Sequence, residues 1–186
     1  MPSYSNTQGL VINKRTYQDN DLVITMLTQN LGKIVVKAVG AKNIKSSRLS
    51  TLQLGNIIRC SIYEKNGQYW LSESLTVSSF LTHRKSLTQH NLLFYFLELI
   101  NQLVAENQDT PGIYNLSTNI VNAINEDNVK SYIGNEIALI KLLGFGIPAE
   151  IQLYYSQANY KSCQKYIKNF LESIIEKKLE SNRLFR

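Results

Sequence analysis

The ten residues IYEKNGQYWL, Ile62 to Leu71, decide how the first part of the chain is read. Asn66-Gly67 is flanked by Ile62-Tyr63 and by Tyr69-Trp70-Leu71. Asparagine and glycine both tolerate the positive φ that a two-residue type I′ turn demands, so this stretch predicts a β-hairpin. Its two arms extend outward, back to about Leu52 and forward to about Val77. Further toward the N-terminus, Leu10-Val11-Ile12 begins a strand and Tyr17 to Asp21 is a polar turn. Leu22 to Leu27 is a second strand, and Asn30-Leu31-Gly32 turns into a third. Five short strands with turns between them predict a small closed barrel.

The third strand lies in GKIVVKAVGAKNIKSSRLS, Gly32 to Ser50. Period-two alternation puts Lys33, Val35, Lys37 and Val39 on one face and Ile34, Val36 and Ala38 on the other. The second set suits a barrel interior. The chain then enters a loop with Lys42, Lys45 and Arg48 and no acidic residue. In oligonucleotide-binding barrels the face of strands 2 and 3, with adjoining loops, holds nucleic acid. Cations there neutralise phosphates with little sequence preference. The bland alternatives are lysines that guard a sheet edge and a solvated loop. Tyr17 is a modest stacking candidate, whereas Trp70 reads as core packing.

From about residue 81 the pattern becomes helical. Residues 81–106 are apolar nearly all round, which marks a buried helix. Pro111 suits a helix start. Tyr114, Ile120, Val121 and Ile124 share one helical face, as do Ile133, Ile137 and Ile140. Gly144 and Pro148 then form a stop signal. A last helix carries Ile167, Phe170, Leu171, Ile174 and Ile175 on one face. The expected fold is therefore α+β, with a five-stranded OB-type barrel at residues 1–79 and an all-helical domain at 80–186.

The chain has 186 residues, 44% hydrophobic and 18% charged, with a formal charge of +6. Residues 1–80 hold nine basic and four acidic side chains, whereas residues 81–186 hold eleven and ten. That asymmetry suits a polyanion partner for the first part, or serves solubility alone. The N-terminus lacks a basic start and an apolar core, so no signal peptide is expected, and no stretch is apolar enough to span a membrane. Cys60 and Cys163 fit a reducing cytoplasm. His83 and His90, seven apart, lack a third metal ligand. Asp19 and Asp21 read as turn residues. No CxxC, HExxH or GxxxxGK[ST] pattern occurs. The expectation is a protein that is not an enzyme and holds no metal or cofactor.

Several of these residues carry a resemblance. Gly9, Leu10 and Val11 open a hydrophobic strand, Tyr17 and Asp21 flank a turn, and Thr28, Gly32 and Lys33 follow. Ala38 and Gly40 then lead into the basic loop with Lys42, Ser47 and Arg48. In order and spacing this resembles the RecO family of DNA repair recombination mediators. ALIKLLGFG, Ala138 to Gly146, and the tail LESNRLFR, Leu179 to Arg186, resemble two further family segments. Many members carry a four-cysteine zinc module after the Leu-Gly-Phe segment. Here residues 149–164 hold only Cys163, so the module reduces to a short connection. Glu180 and Asn182 stand where the family's tail often has lysine and arginine.

The resemblance implies a bacterial, cytoplasmic, nucleoid-associated protein that binds and anneals single- and double-stranded DNA. It implies partnership with RecR and with the acidic C-terminal tail of single-stranded DNA-binding protein, so that RecA loads on coated DNA. The residues expected at DNA are Lys14, Arg15, Lys33, Lys37, Lys42, Lys45 and Arg48. Lys141 is the candidate beside the tail peptide, or else a solvated lysine. An OB-fold RNA-binding module and a protein-interaction adaptor are the alternatives.

Overall fold

A computed structural model describes residues 3–43, 46–80, 86–107, 112–176 and 179. The chain divides into two units, Met1–Arg84 with Val104–Tyr114, and Lys85–Leu103 with Asn115–Arg186. In the first, β1 (Ser3–Tyr17), β2 (Asp21–Thr28), β3 (Lys33–Ala38), β4 (Ile57–Lys65) and β5 (Gln68–Ser78) close into a barrel. The order around it is β1-β2-β3-β5-β4. A four-residue helix, α1 (Arg48–Thr51), lies between β3 and β4.

The hairpin forms as its sequence predicts. Asn66 and Gly67 sit at φ 54° and 71°, and Lys65 pairs with Gln68 across the turn. The barrel closes because β1 is long enough to serve two neighbours. Residues 3–10 pair with β4 and residues 9–17 with β2. The change of partner coincides with an irregularity between Val11 and Asn13, the extra-residue device that bends a strand. There the Val11 amide donates to the Asn56 carbonyl at 3.0 Å, and the Val11 carbonyl accepts from Gly55 at 2.9 Å. The interior is filled by Val11, Leu22, Ile24, Met26, Ile34, Val36, Ala38, Ile58, Ile62 and Leu71, with Tyr69 packed against them.

The second unit is helical: α2 (Leu87–Leu103), most of α3 (Ile113–Asn125), α4 (Val129–Leu142), α5 (Ala149–Ser156) and α6 (Tyr160–Ile175). Asn128 and Asn159 cap α4 and α6, each side chain accepting from the amide three residues on, at 3.0 and 3.2 Å. Gly144 takes φ +88° just past α4, the left-handed position that a helix stop favours. Residues 149–156 form a short helix that packs against α6.

Three boundaries differ from the sequence reading. The hairpin arm expected to reach back to about Leu52 begins at Ile57, after the short helix α1. The helix expected to reach residue 106 ends at Leu103. Past it, Glu106 makes a parallel bridge with Lys33, and the Asn107 amide donates to the Lys33 carbonyl at 2.8 Å. A tertiary backbone pairing thus outcompetes another helical turn. The strand expected to begin at Leu10 begins at Ser3, because the polar residues 3–8 gain β4 as a partner. Pro111, His83 and the tail segment 180–186 lie outside the described residues. Among the described residues no helix is long and apolar enough to cross a membrane.

Candidate nucleic-acid interface

Directly paired residues point to the same side of a sheet. Following the register from strand to strand therefore traces one outer row around the barrel. Arg15 pairs with Val23, Val23 with Lys37, Lys37 with Trp70, Trp70 with Tyr63, and Tyr63 with Tyr4. Two cations and three aromatic rings thus share a continuous belt. Tyr17 joins it from the end of β1, since the Lys37 ammonium lies 5.4 Å from its ring centroid and 5.0 Å from that of Trp70. Both distances are within cation–π range. The Lys37 Nζ also donates to Gln68 Oε1 at 2.8 Å.

The basic residues proposed from sequence separate into distinct environments. Arg15 is exposed and Lys37 half-buried on the belt. The Lys42 side chain is half-buried, and its amide donates to the Asn20 carbonyl at 3.0 Å. The Gly40 amide donates to Asp21 Oδ1 at 2.8 Å. These two bonds hold the β1–β2 turn beside the loop after β3, so Tyr17, Lys37 and Lys42 belong to one end of the barrel. Lys45 lies outside the described residues.

Lys14, Lys33 and Arg48 are held differently. Lys14 pairs with Ile24, a core residue, and its Nζ donates to Gln53 Oε1. Burial lowers its pKa. Lys33 is only 5% exposed. Burial lowers its pKa, and the nearby Glu106 carboxylate opposes that. Arg48 ties the loop down: Nη1 donates to the Val39 carbonyl at 3.0 Å and Nη2 to the Ser72 carbonyl at 2.7 Å. Ser72 is the extra residue of an irregularity in the β4–β5 ladder, where Ser61 opposes Glu73 and Ile62 opposes Leu71. Such a residue is left without a partner in the ladder, and the guanidinium satisfies its carbonyl.

Sequence reasoning overlooked the aromatic row. It assigned Trp70 to the core, but the alternation that the hairpin imposes sends Tyr69 inward and Trp70 outward. Val36, a core residue, pairs with Tyr69, and Lys37 pairs with Trp70. Counting two and three residues on from the Asn66-Gly67 turn would have found this.

In the helical unit, Lys141 is exposed in the last turn of α4. A cavity of about 390 Å³ in the same unit is lined instead by Tyr95, Lys161, Gln164, Lys165 and Lys168. Glu136, which interacts with the lining residue Tyr95, is fully buried, and burial pushes its carboxyl up to about 8. The Tyr132 and Tyr95 hydroxyls approach and partly offset that rise. Neither carboxyl oxygen makes a well-aligned hydrogen bond. His90 Nδ1 lies 3.0 Å from the Ser86 carbonyl. Among the described residues no group of three or more His, Cys, Asp or Glu side chains is placed to hold a metal ion.

A closed five-stranded barrel of the oligonucleotide-binding type, joined to a set of helices, defines the class. Residues 1–80 match the family described as Recombination protein O N terminal. The chain is 29% identical to DNA repair protein RecO of Listeria monocytogenes serotype 4b (strain F2365) over 119 residues, 64% of this chain and 47% of that protein. It is 28% identical to DNA repair protein RecO of Chloroherpeton thalassium over 145 residues, 75% of this chain and 56% of that protein. The RecO protein of Symbiobacterium thermophilum gives 28% over 143 residues with the same coverage. The family match thus covers the barrel, and the helices from α2 onward lie beyond it. The chain spans about half the length of the curated relatives it matches.

Proposed function

We propose that this protein is a non-enzymatic, DNA-binding recombination mediator in DNA repair. The observation that carries this is the outer row of the barrel. Arg15 and Lys37 stand on it, Lys42 adjoins it, and it coincides with the region matched by the RecO N-terminal family. These three cations, with Lys45 from the same loop in sequence, contact phosphates. Lys14, Lys33 and Arg48 serve the barrel itself, so they contribute less to binding. The protein anneals complementary strands and assists RecA loading on DNA coated by single-stranded DNA-binding protein, in company with RecR. The acidic C-terminal tail of that coat protein docks on the helical unit. Charge complementarity favours the cavity with Lys161, Lys165 and Lys168 over the isolated Lys141.

Fluorescence anisotropy of a labelled single-stranded oligodeoxynucleotide, titrated across salt, tests the reading. About three to four phosphate contacts give a log–log salt slope of roughly −2 to −3 on a single strand. Replacing Arg15, Lys37 and Lys42 by Glu flattens that slope and weakens binding. No binding at low salt, or a slope unmoved by those changes, rejects the barrel as the DNA site. Stronger binding to an RNA strand of the same sequence would favour the RNA-binding alternative.

A further inference from the structure

We infer that the aromatic row Tyr17–Trp70–Tyr63–Tyr4 is a base-stacking platform, so that the barrel selects unpaired strands over duplex. This rests on the DNA-binding reading above and deepens it. The rings form one series. Trp70 and Tyr63 are nearly parallel, 9° apart with centroids at 6.2 Å, and Tyr63 lies 5.7 Å from Tyr4 at 42°. Lys37 bridges Trp70 to Tyr17. From Lys37 to Tyr4 the row crosses three strand spacings, about 14 Å in all. That matches about four stacked nucleotides at roughly 3.4 Å each, within the site sizes of single OB-folds.

A core explanation does not account for the row. Tyr4 is 69% and Tyr17 43% exposed at its two ends. The interior already has its own aromatic, Tyr69, from the same hairpin arm. A solvated sheet face has no need of three rings in register with a fourth beside them. The Trp70 Nε1–H is also buried without a hydrogen-bond acceptor, a state that costs about 1–3 kcal/mol.

Lys37 then has a second role. In the free protein its ammonium covers the Trp70 and Tyr17 rings. An incoming base takes the ring face, and the ammonium moves to the adjoining phosphate. The cation holds the platform until a strand arrives, and in duplex DNA the stacked bases cannot reach the rings. Backbone attraction is common to both forms of DNA, so the rings supply the discrimination.

Trp70 is the only tryptophan in the chain, so its emission reports on this site alone. The full-length protein is titrated with oligothymidylate, with an abasic oligodeoxynucleotide of equal length, and with duplex of equal phosphate number. Anisotropy measures binding and tryptophan emission measures stacking. Oligothymidylate should quench Trp70 and bind at least about five-fold more tightly than the abasic strand per stacked base. The duplex should bind without quenching. Tyr4→Leu and Tyr17→Leu, at exposed positions that leave the reporter in place, should narrow the gap between base-bearing and abasic strands. Equal affinities for the two strands with no quenching would overturn the stacking platform while the DNA reading stands. No binding of any of the three would overturn both.

Discussion

Glu136 gives a sharp physical test of the helical unit. Its carboxyl lies at about 8 against an ordinary value of 4.5. The cause is burial, which the Tyr132 and Tyr95 hydroxyls offset only in part, with Cys163 and Glu172 in the same environment. The folded protein therefore keeps this proton over a pH range in which the unfolded chain has lost it. Because the native state binds more protons there, stability falls as pH rises through that range. The loss is about 1.4 kcal/mol per pH unit. Across the interval from 4.5 to about 8 it accumulates to about 5 kcal/mol. Glu136→Gln keeps the shape and carries no titrating proton. The difference in unfolding free energy between wild type and Glu136→Gln should be smallest below about pH 4.5. It should then move against the wild type with rising pH, levelling off above about pH 8. Urea denaturation followed by far-UV circular dichroism, at a series of pH values, measures it. Parallel stability curves, diverging by less than about 1 kcal/mol between about pH 5 and 8, would refute the reasoning.

Other variants test the barrel and the lysine-lined cavity. Arg48→Met removes two hydrogen bonds to the Val39 and Ser72 carbonyls and should cost about 1–3 kcal/mol of stability by chemical denaturation. Lys42→Glu should leave stability within about 0.5 kcal/mol while weakening DNA binding, so the pair separates a structural cation from a binding one. Lys161→Glu combined with Lys165→Glu, at exposed positions lining the cavity, should abolish binding of an acidic, apolar-ended peptide by calorimetry. Lys141→Glu should weaken it far less, and the reverse order would move the peptide to α4.

Much of the barrel can be read from local chemistry, because turns and alternation are local. Asn66-Gly67 fixes the hairpin, and Ile34, Val36 and Ala38 alternate into the core as expected. Helix stops were equally legible where glycine marks them, as at Gly144. What escaped the sequence depends on partners far along the chain. Residues 3–8 are polar and look like a tail until β4 pairs with them. Lys33 has the sequence of a surface lysine, and only the segment at Glu106 and Asn107 covers it. Arg48 resembles a binding cation until the β5 irregularity leaves the Ser72 carbonyl in need of a donor. Residues 149–156 bury only Ile151, so they show too weak an apolar stripe to announce a helix. The belt is the most instructive case. Its members come from all five strands, so no window of sequence contains it, although each register step that builds it is simple.

The double pairing of β1 also has a consequence for synthesis on the ribosome. Residues 9–17 meet their partner in β2 within a few residues, but residues 3–10 pair with Ile57–Glu64. Until that later strand has emerged, the first half of β1 is an open edge with unpaired amides and carbonyls, and such edges recruit other chains. The polar run SYSNTQ suits that interval, because it offers a growing chain little apolar surface through which to associate. The same residues that hide the first strand from a sequence reader keep the nascent barrel from sticking before it can shut.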